Sequence, residues 1–254
     1  MAEVSFGGGT REGSVPIHID HGTAQLCMPY AEFAGVFIAS DSMVVTRTVQ
    51  GRWRPRTPWL SAFVSATNNV VHALSTHRFW CTEHEGWWIC HRPRLENGWS
   101  DSVAKWARMQ MHPLTAWVHD RSLWEGWRAL PSTGSWYISV DGSCVPEPPF
   151  ARGLSGASCT LWSATGGFWW PVATLAASSQ WAAAVEAEAT ALVLALAVCQ
   201  LSTNVLMHEV LAVAGASWFT TESLRSVVAD PCYSGVSNFC ALTATRVPDL
   251  SQCV

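Results

Sequence analysis

Carboxylates at the ends of regular elements are the residues of this chain best placed to do chemistry. The run WYISVDGSC alternates, with Trp136, Ile138 and Val140 on one face, and ends in Asp141 before a turn-forming Gly-Ser. A strand of this kind delivers a carboxylate to a sheet edge. Further on, Glu186 and Glu188 stand near the start of an Ala- and Leu-rich segment, and Glu222 sits between Thr221 and Ser223 in WFTTESLRSVV. Upstream, VFIASDS reads as a buried strand ending at Asp41-Ser42 and feeding a helix or second strand, MVVTRTV. Taken singly, each has an ordinary structural reading, because Asp-Gly-Ser is a common turn and a Glu on an Ala-rich helix is usually solvated.

Softer ligand types occur as well. Cys81, His84, Cys90 and His91 have zinc-compatible chemistry, but adjacent Cys90 and His91 converge poorly on one ion and finger spacings are absent. The alternative is a β-hairpin with Glu85-Gly86 at its turn and Trp87, Trp88 and Ile89 packing. His18, Asp20 and His21 lie close together, yet no third cluster follows at a convincing distance. In GRWRPRTPWL, arginines alternate with Trp53, Trp59 and prolines, a pattern that can track a phosphate backbone while stacking on bases, or serve as a solvated linker.

Strands and a helix must position these groups. The runs GASCTLWS and FWWPVATL flank Gly166-Gly167 and predict a hairpin. After them SSQWAAAVEAEATALVLALAVCQ, free of Gly and Pro and with Ser178 or Ser179 as a cap, predicts a long helix buried on most of its circumference. In the Trp-rich stretch 80–136, SDSVAKWARMQM predicts a helix capped by Ser100 or Asp101. PLTAWVHDRSLWEGWRAL predicts a second one, with Trp117, Trp124 and Trp127 on its inner side. Beyond Gln200 the reading is ambiguous, and the C-terminal piece lacks periodicity.

Composition narrows the class. The chain has 254 residues, 49% hydrophobic and only 13% charged, so it can bury a core but carries little surface charge. A net charge of −4 gives no basic surface on average, and any nucleic-acid contact must come from a local patch. The excess of Arg over Lys reads as coding bias rather than binding. Nine cysteines without a regular framework or secretory leader predict reduced thiols in an intracellular setting, cytoplasm or nucleus. The longest apolar run, Ala189 to Cys199, is well short of the ~18 residues of a membrane span and predicts a core helix.

A strand ending in Asp141-Gly142-Ser143, the turn CVPEPPFARG, a Gly-turn hairpin and a helix carrying AEATALVLAL form an ordered set. In that order it resembles the ribonuclease H-like fold, particularly the reverse transcriptase-associated RNase H domains of non-LTR retrotransposons, over residues 134–229. Glu188 stands in the family's glutamate position, and Thr221-Glu222-Ser223 stands where the family has an Asp-Ser pair. Asp41-Ser42 is a better copy of that third motif. If both are real, the chain joins the tail of one such unit to the front of another. The resemblance implies an α/β mixed sheet with a crossing helix, and Asp141, Glu188 and Glu222 as catalytic and metal-binding residues. It further implies Mg²⁺ or Mn²⁺ as cofactor and hydrolysis of the RNA strand of RNA–DNA hybrids by a two-metal route. A degenerate version would bind nucleic acid without cleaving it. The family's fourth acid, carried on a late helix after a His-containing loop, has no convincing counterpart after Glu222, where only Asp230 and Asp249 remain.

The division expected is an irregular partial unit at 1–60 with the Asp41-Ser42 strand, a Trp-rich connector at 61–133, and an RNase H-like domain at 134–254, incomplete at its C-terminus. The fold class is thus α/β with a Trp-rich helical and irregular N-terminal region. The expected partner is an RNA–DNA hybrid or other nucleic acid, with no membrane. The competing reading is a non-enzymatic, Trp-rich interaction module, with zinc held by the Cys and His set.

Overall fold

A computed structural model describes residues 35–78, 80–82, 87–110, 114–129, 134–145, 154–165, 168–179, 183–201, 203, 207, 211 and 213. The expectations for His18, Asp20, His21, His84, Glu222, Asp230 and Asp249 lie outside them. Within them the chain is α/β, a six-stranded mixed sheet with five α-helices. The strands are β1 (Gly35–Ser40), β2 (Ile89–His91), β3 (Thr115–Val118), β4 (Ser135–Val145), β5 (Leu154–Thr165) and β6 (Phe168–Ser179). The helices are α1 (Met43–Val49), α2 (Pro58–Leu74), α3 (Gly98–Gln110), α4 (Arg121–Arg128) and α5 (Ala184–Gln200). None is long and apolar enough to cross a membrane among the described residues.

The sheet order is β2-β1-β4-β5-β6-β3, with β2, β1 and β4 parallel and the rest antiparallel. β5 and β6 pair out to Thr165 and Phe168, as the hairpin expectation required. The sheet also runs across the division expected near residue 134. β1 pairs along its whole length with β4, Gly35 against Ser135 through Ser40 against Val140. The strand carrying Asp41 therefore belongs to the same sheet as the strand carrying Asp141.

Three local expectations change. The segment around residues 80–91 is no hairpin among the described residues: β2 and an isolated bridge at Trp80 both run parallel to β1. A single long helix after Pro113 gives way to β3 followed by α4, because β-prone Thr115–Val118 pairs with β6 and Asp120 then caps the helix through Leu123 N–H at 3.0 Å. Trp117 accordingly lies in a strand, while Trp124 and Trp127 lie buried on α4. Ser178 belongs to β6 rather than capping α5. The cap position is Ala183, whose N–H donates to the Glu186 carboxylate at 3.2 Å.

Two layers of helix enclose the sheet. Alternation along β4 puts Trp136, Ile138 and Val140 on the face covered by α5, which is buried from Ala189 to Gln200. Ser139, Asp141 and Ser143 point to the other face, covered by α3, where Ser139 Oγ meets Ser100 Oγ at 2.7 Å and Ser143 Oγ accepts from Arg108 at 3.0 Å. Arg78 ties the apolar layer together. It is buried, donates to the carbonyls of Trp127 (2.9 Å) and Cys199 (3.3 Å), and stacks 3.7 Å from the Trp127 ring centre.

Glycine lets both helices touch the strands directly. A Cβ on Gly142 would run into the backbone of Ala187 and Glu188, and one on Gly156 into Ala104 and Arg108 of α3. Gly142→Ala should therefore lower the melting temperature. Overpacking of about 1–3 kcal/mol corresponds to roughly 2–12 °C at this size. Gly126→Ala, where an added Cβ meets nothing within 4 Å, should leave it unchanged or raise it slightly. Equal melting temperatures for the two variants would contradict this close approach.

Candidate metal centre

The parallel register brings the acids together. Because Ser40 lies opposite Val140, the next residue of each segment, Asp41 and Asp141, emerges at the same level of the sheet. Ser40 Oγ accepts from Ser42 N–H at 2.9 Å and Ser42 caps α1, which fixes the chain reversal just after Asp41. The Asp41 carbonyl is held from the other side by His91 Nε2 of β2, 3.1 Å away. Glu188 arrives from the first turns of α5, whose approach Gly142 permits, and its carboxylate receives the Gly142 N–H. Glu186, one helical step away, is occupied in the cap.

The result is a cluster in which one ligand atom each from Asp41, Asp141 and Glu188 lies within 4.8 Å of the others. Asp141 is 1% exposed. One oxygen of each acid, Asp41 Oδ1, Asp141 Oδ2 and Glu188 Oε2, is buried without a hydrogen-bond partner. Buried polar atoms are normally paired, so an unpartnered oxygen on each member of the cluster is what a bound cation would satisfy. Burial pushes the Asp141 carboxyl well above the usual carboxylate range, and the charges of Glu188, Asp41 and Asp101 push it further. Glu188 is raised as well, first by burial and then by Asp41. At 4.8 Å, the outer limit of their separation, two full negative charges repel by roughly 3.5 kcal/mol at an effective dielectric constant of about 20. The cluster could hold a metal ion, and an all-carboxylate donor set is the kind that hard divalent ions favour.

Of the residues expected from sequence, the structure unites Asp141 and Glu188. Asp41 takes the third place, for which Glu222 had been the expectation, while Glu222 itself lies outside the described residues. Asp101, in the first turn of α3, lies close enough for its charge to act on both Asp141 and Glu188. Just before that helix stands Asn97, whose Nδ2 donates to the Val140 carbonyl at 2.8 Å and reaches Asp141 Oδ1 at 3.5 Å.

The zinc set does not assemble among the described residues. Cys81 and Cys90 are buried beside Phe37, Trp162 and Trp169, whereas His91, the next residue on β2, turns to the opposite face and the Asp41 carbonyl.

A raised carboxylate pKa fixes a sign. The neutral form is the one folding favours, so the stability it brings is complete below the unfolded value near 3.9 and is lost as pH rises toward the folded value. In the presence of chelator the wild-type melting temperature should fall between pH 4 and pH 8, and Asp141→Asn should fall less. The gap should open by at most about 1.4 kcal/mol per pH unit. Parallel curves would remove the electrostatic account of the cluster. The chain matches no protein-family model, no curated protein and no solved structure.

Proposed function

We propose that this protein is a divalent-metal-dependent phosphodiester hydrolase of the RNase H-like class, related to the reverse transcriptase-associated domains of non-LTR retrotransposons. Its substrate is the RNA strand of an RNA–DNA hybrid. The observation that carries the reading is the convergence of Asp41, Asp141 and Glu188 with an unpartnered buried oxygen on each. The mixed sheet with a helix crossing at the strand of the first acid is compatible with that fold. The chain order is rotated relative to the family: the strand of the third acid and the helix of the fourth come before the strand of the first.

Asp141, Asp41 and Glu188 would hold Mg²⁺ or Mn²⁺, which supplies an activated water and charge stabilisation at the leaving oxygen. Asp141 is the most deeply buried of the three, on the strand that α5 crosses. Asn97 orients it from the α3 side, and the Gly142 N–H orients Glu188. The link between α1 and α2 presents Trp53, Arg54 and Arg56 to solvent, with Trp53 46% exposed. These groups can meet phosphates and bases one short helix away from Asp41.

A second reading, nucleic-acid binding without cleavage, is favoured by one feature: Asp101 is already paired with Arg94 and Lys105. Incubation with a hybrid labelled on its RNA strand decides between them. Mg²⁺- or Mn²⁺-dependent cleavage should appear with wild-type protein and fall by at least about a hundredfold in Asp141→Asn, since even residues supporting a metal ligand cost ten- to a hundredfold. Cleavage that persists in the variant overturns the catalytic assignment, and binding by wild type without cleavage selects the second reading.

A further inference from the structure

Asp101 carries a negative charge beside the metal cluster, yet neither of its oxygens faces an empty site. Oδ2 receives Lys105 Nζ at 2.9 Å from one turn along α3, and Oδ1 receives Nη2 of Arg94. Arg94 belongs to a single 3-10 turn, Arg94–Glu96, just before α3. Its side chain is 66% exposed, whereas that of Asp101 is 13% exposed. The guanidinium charge reaches Asp141 and Asp41 in addition to Asp101, and it acts on Glu188 as well. One arginine on a solvent-facing arm thus stands in the field of all four carboxylates.

Between Asp101 and Asp141 lies Asn97, 2% exposed. Its carbonyl accepts the Asp101 N–H at 3.0 Å and its Nδ2 reaches Asp141, while its Oδ1 is buried without a partner. The ground between the two aspartates is therefore polar, enclosed and incompletely satisfied.

We propose that Arg94 is a built-in stand-in for a second cation: by pairing with Asp101 it lets the Asp41, Asp141 and Glu188 cluster take one divalent ion tightly and a second only in competition with its guanidinium. Charge balance supports this. One divalent ion together with Arg94 and Lys105 neutralises the four acids, so a second ion entering with Arg94 in place leaves an excess of positive charge. An exposed ion pair is worth only up to about 1 kcal/mol, so the arm can leave when a second ion or a phosphodiester competes for it. The inference rests on the metal reading of the cluster and adds to it the means by which occupancy is limited.

Calorimetric titration of the full chain with Mn²⁺ tests it, using wild type, Arg94→Gln, Arg94→Lys, Asp101→Asn and the Arg94→Gln/Asp101→Asn pair. Wild type should show one tight and one weak site. Arg94→Gln should tighten the weak site by about five- to tenfold, the equivalent of releasing the ion pair and its charge. Arg94→Lys should stay near wild type, and Asp101→Asn should lose the weak site while keeping the tight one. Because Arg94 lies on an exposed turn, matching melting curves will show that the variants fold. A weak site within about twofold of wild type in Arg94→Gln, less than the release of even a modest ion pair, overturns the proposal while leaving the tight site intact. So does tightening that persists in the double variant. Absence of the tight site in wild type overturns the metal reading itself, and this proposal with it.

Discussion

Mutual repulsion among three largely enclosed carboxylates is the force the rest of the architecture has to contain. Asp41, Asp141 and Glu188 come from a strand end, a neighbouring strand and a helix, all distant in sequence. Containment comes from backbone. The β1–β4 register places the two aspartates at one level, and direct contact of α5 with β4 at Gly142 places the glutamate. The stability needed to oppose the repulsion is supplied far from the site. An apolar helix buried from Ala189 onward packs on Ile138 and Val140, and buried Arg78 fastens the carbonyl at Cys199 to Trp127. Residues that never approach the acids therefore decide whether the acids can stay together.

The two faces of the sheet divide the labour. Beneath α5 the strands present Val36, Ile38, Ile138 and Leu175, a surface whose burial stabilises without specifying direction. Beneath α3 they present hydroxyls that are all engaged: Ser139 with Ser100 and Trp162, Ser158 with the Ser100 carbonyl, Thr160 with Thr174. Such bonds are satisfied in only one seating of the helix. Asp141 lies in this polar row, between Ser139 and Ser143, with Asn97 reaching it from just before α3. A greasy interface there would bury the carboxylate with no means of orienting it.

Much of this was legible in the chain. Alternation in WYISVDGSC marked β4 and its terminal acid. The flanked Gly-Gly marked the β5–β6 pairing, and the Gly-free run marked α5 with Glu188 on it. The strand VFIASDS was legible also, along with its resemblance to a third acidic motif. What could not be read was which partner it would take. Local pattern specifies a strand but not its neighbour, and the natural expectation placed the third acid downstream, at Glu222. For the same reason the segment around Trp80–His91 suggested a hairpin. Its Trp and Ile residues satisfy a parallel pairing with β1 as well as an antiparallel one, and only the β1 edge decides.

The chain order has a structural consequence for the site. From Asp101 on α3 to Asp141 on β4, the connection must travel from one side of the sheet to the other. Here β3 and α4 serve as that connection: β3 caps the far edge against β6, and α4 returns on the apolar face with Trp124 and Trp127 buried. Trp127 packs 5.0 Å from Trp136 at the start of β4 and donates to the Val198 carbonyl of α5 at 3.2 Å. The segment that carries the chain from Asp101 to Asp141 is held by the same helix that carries Glu188, so the connection is fastened through the core rather than through the acids.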